Sequence, residues 1–147
     1  MNNVSLLSAL MVRMKDAGIV SLEGDFHMAN GPALNVDKLD FFVTETFSGG
    51  TDRAWSTRRS RMRTVIVQYD LFVRDGTGVG LIEDKISMFK DAFDPTSETK
   101  CMIETDDLTA QVTRITDGYA RTDHTWYSKS VIITLQVAYK ARYQNPT

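Results

Sequence analysis

The chain has 147 residues, of which 42% are hydrophobic and 24% are charged, and 17 Lys+Arg against 19 Asp+Glu leave a formal net charge of −2. These values predict a single globular domain over residues 1–147 and exclude both a disordered chain and a protein coated in basic charge for DNA. The single cysteine, Cys101, excludes an internal disulfide, and two histidines are too few for a rich metal centre. We predict no membrane segment, because no apolar run approaches the ~18 residues that a membrane helix needs.

The N-terminal half of the chain predicts one helix and two strands. Apolar residues recur there at helical spacing, at Leu7, Leu10, Met11 and Met14. Gly18 follows as a stop signal, and the turn-rich segment 24–37 is expected to be a connection with room for a short strand. Residues 39–47 and 64–74 alternate between apolar and polar side chains, which indicates strands with one buried face.

The C-terminal half predicts a second helix and three more strands. Apolar side chains at 82, 86, 89 and 93 follow a helical period, and Asp94-Pro95 ends that helix. Strands are expected at 100–104, from Leu108 with Ala110 and Val112 on the same face, and at 126–139, and a loop is expected to begin at Asp117-Gly118. Because strands come in runs joined by short turns, we predict an α/β fold of the α+β kind. It would have a single mostly antiparallel or mixed sheet flanked by two main helices on one side.

The sequence offers little that could carry catalysis. Glycines at 76, 78 and 80 lie between a strand and a helix, but they do not form a phosphate-loop motif, and acids follow at once in the first turn of the helix. Cys101 is expected to be a small core or interface residue, and the Asp123-His124 pair an exposed loop pair. We therefore predict no enzyme activity and no catalytic residue, cofactor or metal site.

An arginine-rich stretch is the one local feature that departs from chance. Five of the ten arginines stand within eleven residues that contain no acid: Arg53, Arg58, Arg59, Arg61 and Arg63. A mobile loop at about 48–63 is expected. Three interpretations stay open: a solvated loop, a subunit or partner contact helped by Trp55, and a nucleic-acid contact. Asp106 and Asp107, in a predicted turn, supply the opposite charge at a separate site.

The order of these features resembles the small tail terminator (tail completion) proteins of long-tailed bacteriophages. The resemblance covers roughly residues 4–143. It rests on the arginine stretch leading into the strand at 65–73, the helix ending at Phe93, and Trp126-Tyr127 before the closing strand at 131–139. Trp126 and Tyr127 are themselves expected to be core or interface anchors, with the core favoured.

The resemblance implies a structural virion protein rather than an enzyme. Such proteins form a six-membered ring on the head-proximal end of the tail tube, assembled in the host cytoplasm. The expected partners are other copies of the chain, the tail tube protein and a neck or head completion protein. Genome DNA would pass through the lumen without specific binding. The alternatives are another head–tail joining protein, a small nucleic-acid-binding protein that uses residues 53–63, and a small enzyme built around Asp123-His124 or Cys101.

Overall fold

The protein is described here from a computed structural model, which covers residues 4–49, 52–54, 61–77, 79–123 and 125–139. Two helices and eight strands follow one another along these ranges. In chain order they are α1 (Val4–Asp16), β1 (Phe26–His27), β2 (Phe41–Ser48), β3 (Asp52–Ala54), β4 (Arg61–Arg74), α2 (Gly80–Ala92), β5 (Met102–Glu104), β6 (Leu108–Asp117), β7 (Arg121–Thr122) and β8 (Trp126–Tyr139).

The described strands form one mixed sheet. Its main order is β1-β2-β4-β8-β6-β5, with β3 paired to β4 and β7 paired to β8. All pairs are antiparallel except β1 with β2. β4 and β8 form the centre and pair along their whole length, from Arg61 opposite Tyr139 to Arg74 opposite Trp126. The predicted α+β class, with one sheet and two helices, is confirmed.

The core lies between one face of this sheet and both helices. Alternate residues of the two central strands are buried, with Val65, Val67, Tyr69, Leu71 and Val73 on β4 and Val131, Ile133, Leu135 and Val137 on β8. The helices cover this face with their apolar stripes, which are Leu6, Leu10 and Met14 on α1 and Ile82, Ile86 and Phe89 on α2. Both periods agree with the predictions, because burial on one face selects period two in a strand and 3.6 in a helix.

Helix α1 ends where the sequence predicts. Gly18 has a φ of +79°, a left-handed conformation that glycine adopts without strain. Beyond it, the backbone N–H of Ile19 donates to the carbonyl of Met14 and satisfies one of the last carbonyls of the helix. Neither of the two described helices has the length and hydropathy needed to cross a membrane.

Strand β6 ends at Asp117, where the predicted loop begins, and it contains a bulge. The register shifts by one residue after Val112, which lies opposite Leu135, so that Arg114 lies opposite Thr134. This shift changes the parity of the strand, and Ile115 packs against the core although it is out of phase with Leu108 and Val112.

Apart from Gly49, the described part of the expected loop at about 48–63 is strand. Asp52, Arg53 and Ala54 pair with Arg63, Met62 and Arg61, so β3 continues the line of β2 along β4. Residues 50, 51 and 55–60 lie outside the described residues. The prediction failed at 52–54 and 61–63 because polar and arginine side chains there carry no apolar alternation.

Candidate functional site

Five of the eight candidate interface residues are described by the structure, and they fall into two groups. Arg53 lies on β3, and Arg61 and Arg63 lie on β4. Trp55, Arg58 and Arg59 lie outside the described residues. Asp106 and Asp107 form the turn between β5 and β6.

Hydrogen bonds hold the acidic turn against helix α1. The hydroxyl of Ser5 donates to Oδ2 of Asp107 over 3.0 Å, and the hydroxyl of Thr105 donates to Oδ1 over 2.7 Å. The backbone N–H of Thr105 closes the turn on the carbonyl of Leu108. Asp107 is therefore half-buried and fixes the turn, whereas Asp106 is exposed. Only the carboxylate of Asp106 is presented to solvent as an interface group would be.

The sheet brings both charged groups to the same end of the molecule. Arg61 lies opposite Tyr139 in the β4–β8 pair, and Tyr139 lies opposite Leu108 in the β6–β8 pair. Neighbouring strands are about 4.8 Å apart, so Arg61 and Leu108 are separated by roughly 10 Å across the sheet. The acidic turn immediately precedes Leu108. The two groups therefore share an end of the sheet, but the end of β8 lies between them.

The side chain of Arg63 does not extend freely into solvent. It is half-buried and lies two residues before Val65, in phase with the buried face of β4. Its guanidinium packs against the backbone of Gly49, where a Cβ would lie 3.2 Å from Nη2. Glycine at position 49 thus allows this close approach.

The core contains a buried carboxyl group that the sequence did not predict. Glu45 on β2 is 4% exposed, and its Oε2 accepts a hydrogen bond of 2.8 Å from the hydroxyl of the fully buried Tyr69. The N–H of Ala29 donates to Oε1 over 3.2 Å. Burial raises the pKa of Glu45, while these two hydrogen bonds oppose the rise. Burial, with the nearby carboxylate, raises the pKa of Tyr69 well above its usual value.

Glu45 and Tyr69 face the helices, and the segment 26–31 covers them. Phe26 of β1 lies against Tyr69 with ring centroids 6.3 Å apart. Phe89 of α2 stacks on the Tyr69 ring with centroids 5.3 Å apart. The described hydrogen bonds of Glu45, to Tyr69 and to the backbone of Ala29, are those of a structural residue of the core. The alternation of the strand could have indicated that Glu45 is buried, because residue 45 lies on the same face as Phe41, Val43 and Phe47.

An aromatic cluster lies on the face of the sheet away from the helices, at the end opposite to the arginines and the acidic turn. Phe42 stacks on Phe72 at 4.6 Å and meets Trp126 edge-on at 4.8 Å. The guanidinium of Arg74 lies 4.8 Å from the Trp126 ring and donates to the carbonyls of Val36 and Asp37. Trp126 is thus half-buried in a cluster on the face away from the helices, whereas Tyr127 packs against the core.

The remaining chemical candidates have structural roles in the described part of the chain. Gly76 has a φ of +91° in the turn after β4, and α2 begins at Gly80 with Glu83 in its first turn. Cys101 is buried, and its thiol lies against the carbonyl of Glu98. His124 and Gly78 lie outside the described residues. Among the residues searched, no group of three metal-ligating side chains occurs.

Comparisons with known proteins identify the fold. No protein-family model matches the sequence, and no curated protein matches it. Several solved structures do match, and one of them has a TM-score of 0.62 at 14% sequence identity, with 98% of this chain and 99% of that chain covered. A likeness at this identity shows the fold alone. The fold therefore has a solved counterpart over nearly its whole length, and function is a matter for proposal.

Proposed function

We propose that the protein is a virion structural protein that forms a ring on the head-proximal end of a phage tail tube. In that position it would stop tube polymerisation and provide the surface that joins the tail to the head. The proposal rests on the resemblance in the order of features and on a compact α+β domain with an arginine-bearing strand pair.

The observation that carries the proposal is the place of the arginines. Those within the described residues, Arg53, Arg61 and Arg63, lie on β3 and on the start of β4, a strand whose fully buried residues begin at Val65. Arginine binds carboxylates through a planar fork and is enriched at protein interfaces. A ring needs two different surfaces on each subunit that complement each other by rotation, so a charged strand pair at one side of the sheet suits such a subunit.

The helix-free face of the sheet supports the same proposal. The exposed side chains of its two central strands are uncharged, with Thr64 and Ile66 on β4 and Gln136 on β8, while Asp70 on β4 and Arg114 on β6 give the same face charges of both signs. A strongly basic lining would hold a DNA duplex through its phosphates, whereas a face without concentrated basic charge would let it slide. Such a face is compatible with a lumen through which genome DNA passes.

Electron microscopy of particles made without this gene tests the proposal. Over-long tail tubes separated from filled heads are expected. Tails of normal length that fail to join heads would instead make the protein a neck component, and normal infectious particles would overturn a role in assembly. DNA binding of the purified chain across a salt series tests the nucleic-acid alternative, which requires tight binding with steep salt dependence.

Arg58→Glu combined with Arg59→Glu tests the arginine stretch in the same assay. We expect the double variant to fold and to produce over-long tubes, because both substitutions reverse charge at the expected contact. Arg121→Glu on β7 is the matched control, since it reverses one exposed arginine at the other end of the sheet. If the double variant caps tubes normally, these two arginines do not make the contact.

A further inference from the structure

A tight turn follows strand β1 and closes over the buried Glu45. The backbone N–H of Gly31 donates to the carbonyl of Met28 over 2.9 Å, which closes the turn on four residues. Asn30 is the third residue of this turn, is exposed, and has a φ of +59°. A positive φ at the third residue is typical of a type II turn, and asparagine is one of the few residues with a side chain that adopt it readily.

Packing favours glycine at the next position of the turn. A Cβ at residue 31 would lie 3.1 Å from the carbonyl oxygen of Met28 and 3.2 Å from its Cβ, which is closer than most such contacts in proteins. Asn30 and Gly31 therefore suit the turn for separate physical reasons. Together they form the one Asn-Gly pair of the sequence. Because glycine has no side chain, its backbone nitrogen is open to the side chain of the preceding residue.

We infer that Asn30 is a site of spontaneous deamidation. The backbone nitrogen of Gly31 attacks Cγ of Asn30, so that a bond forms between these two atoms and the Cγ–Nδ2 bond breaks. The hydrogen of the Gly31 N–H leaves with Nδ2 as ammonia. Water then opens the resulting cyclic imide at one of its two carbonyls, which gives aspartate or isoaspartate at position 30. The reaction consumes only water and releases only ammonia.

The contacts of the turn determine how fast this reaction proceeds. The Gly31 nitrogen must lose its hydrogen to attack, and the carbonyl of Met28 holds that hydrogen. Nε2 of His27 lies 3.0 Å from the carbonyl oxygen of Gly31 and donates to it. The N–H of Ala29 donates to Oε1 of Glu45. The reaction therefore starts from an opened turn, and its rate measures how often the turn opens.

The products weaken the cover over the core. In isoaspartate the main chain runs through the side-chain carbons, so the main chain is longer by one atom and cannot keep the geometry of the turn. The hydrogen bond from Ala29 to Glu45 and the β1–β2 pairing at His27 lie directly before this residue. Deamidation should therefore loosen the segment 26–31 from β2 and let water reach Glu45 and Tyr69.

Peptide mapping by mass spectrometry tests the site on the folded full chain during incubation at mildly alkaline pH. We expect aspartate and isoaspartate to accumulate at residue 30. Asn35 is the internal control, because it is also exposed but is followed by the β-branched Val36, and it should stay an amide. Asn30→Gly keeps the positive φ and lacks the reacting amide, so this variant should fold and form no acid at position 30. An unchanged Asn30 in the folded chain, after the urea-unfolded chain has reacted, would overturn the site.

His27→Phe tests the control of the reaction by the turn. Phenylalanine keeps a ring but cannot donate to the carbonyl of Gly31, so the rate at Asn30 should rise about fivefold or more. Thr96→Val is the matched control, because it removes a hydrogen bond to Asp94 in the exposed loop after α2 and should leave the rate unchanged.

Thermal unfolding of each variant separates local opening of the turn from global loss of stability. Equal rates in His27→Phe and the wild type would show that the turn does not control the reaction. Equal rates in the folded and the urea-unfolded wild type would show the same. The reaction needs only the folded chain and water, so none of these outcomes bears on the proposed ring.

Discussion

The hydroxyl of Tyr69 donates a hydrogen bond of 2.8 Å to the carboxyl group of Glu45 inside the core. These residues lie on neighbouring strands and are paired in register, so the contact is a direct consequence of the β2–β4 pairing. Burial raises the pKa of Glu45, which means that folding favours the protonated carboxyl. Its contribution to stability is therefore largest below the unfolded value of 4.5 and falls as the pH rises through the raised pKa.

Glu45→Gln should remove this pH dependence. Glutamine keeps the shape and an oxygen acceptor for Tyr69 but does not ionise. Urea unfolding of both proteins from about pH 4 to about pH 8 should show the variant gaining stability relative to wild type as the pH rises. A difference between the two that stays constant across this range would contradict the assignment.

Tyr69→Phe tests the same contact from its other partner. The substitution removes one of the two hydrogen bonds to a buried carboxyl group and leaves the ring packing in place. We expect a loss of about 1–3 kcal/mol in the free energy of unfolding at neutral pH, measured by urea denaturation. Tyr119→Phe is the control, because the side chain of Tyr119 is 94% exposed and its substitution should change little.

Strong periodicity explains why most of the fold could be predicted from the sequence. The central strands and both helices each bury one face, so their apolar residues recur with a fixed period. β3 and β7 were missed because they are only three and two residues long and show no apolar alternation. Glu45 was missed as a core residue because an acid in a strand is expected to face water. Its burial depends on Tyr69, which comes from a different strand.

The candidate site could be predicted only in part, since it depends on pairing between distant segments. Charge runs in the sequence located the arginines and the acidic turn. The placement of Arg53 on the edge strand β3 and of the acidic turn beside β5 follows from the strand order, which local patterns do not reveal. The structural role of Asp107 also depends on a distant residue, because Ser5 is 102 positions away in the chain.

An ion-pair network ties helix α2 to the sheet and should make stability sensitive to acid. Lys90 and Lys129 both contact Asp117, at 2.8 and 3.2 Å, and Lys129 also contacts Glu83. The hydrogen bonds from Lys90 and then Lys129 lower the pKa of Asp117 to about 2. The stabilisation is thus present above the unfolded value of 3.8 and is lost as the pH falls towards 2.

Asp117→Asn should lower the urea midpoint at neutral pH and converge with wild type under acid conditions. The amide cannot pair with the two lysines, so the difference between the proteins should shrink as the pH falls through about 4 towards 2. Asp84→Asn, an exposed acid on α2, is the control and should show no such convergence. Parallel pH curves for Asp117→Asn and wild type would show that the network does not stabilise the fold.

Arg13 joins α1 to the end of α2 and to the sheet edge. Its guanidinium donates to the carbonyls of Ala92, Lys100 and Met102 and lies 5.4 Å from the Phe93 ring. Lysine keeps the charge but lacks the planar fork, so Arg13→Lys should cost about 1–2 kcal/mol in the free energy of unfolding. Lys15→Met on the exposed side of α1 is the matched control. Equal stability of Arg13→Lys and wild type would contradict this role.

Arg74 should hold the connection 36–40 against the aromatic cluster on the other face. Its guanidinium lies over Trp126, donates to the carbonyls of Val36 and Asp37, and is 3.7 Å from the carboxylate of Asp40. Arg74→Lys removes the stacked plane and the fork, so we expect a loss of about 1–2 kcal/mol and a changed environment for Trp126.

Tryptophan fluorescence in a Trp55→Phe background measures that change, because Trp126 is then the sole tryptophan. Arg74→Lys should shift the emission of Trp126 to longer wavelength as water replaces the guanidinium. Arg121→Lys, an exposed arginine on β7, should leave the emission unchanged. If Arg74→Lys had the same emission spectrum as the protein with Arg74, Phe42 alone would shield Trp126 from water. The loss of stability would then come only from the lost hydrogen bonds to the carbonyls of the connection 36–40.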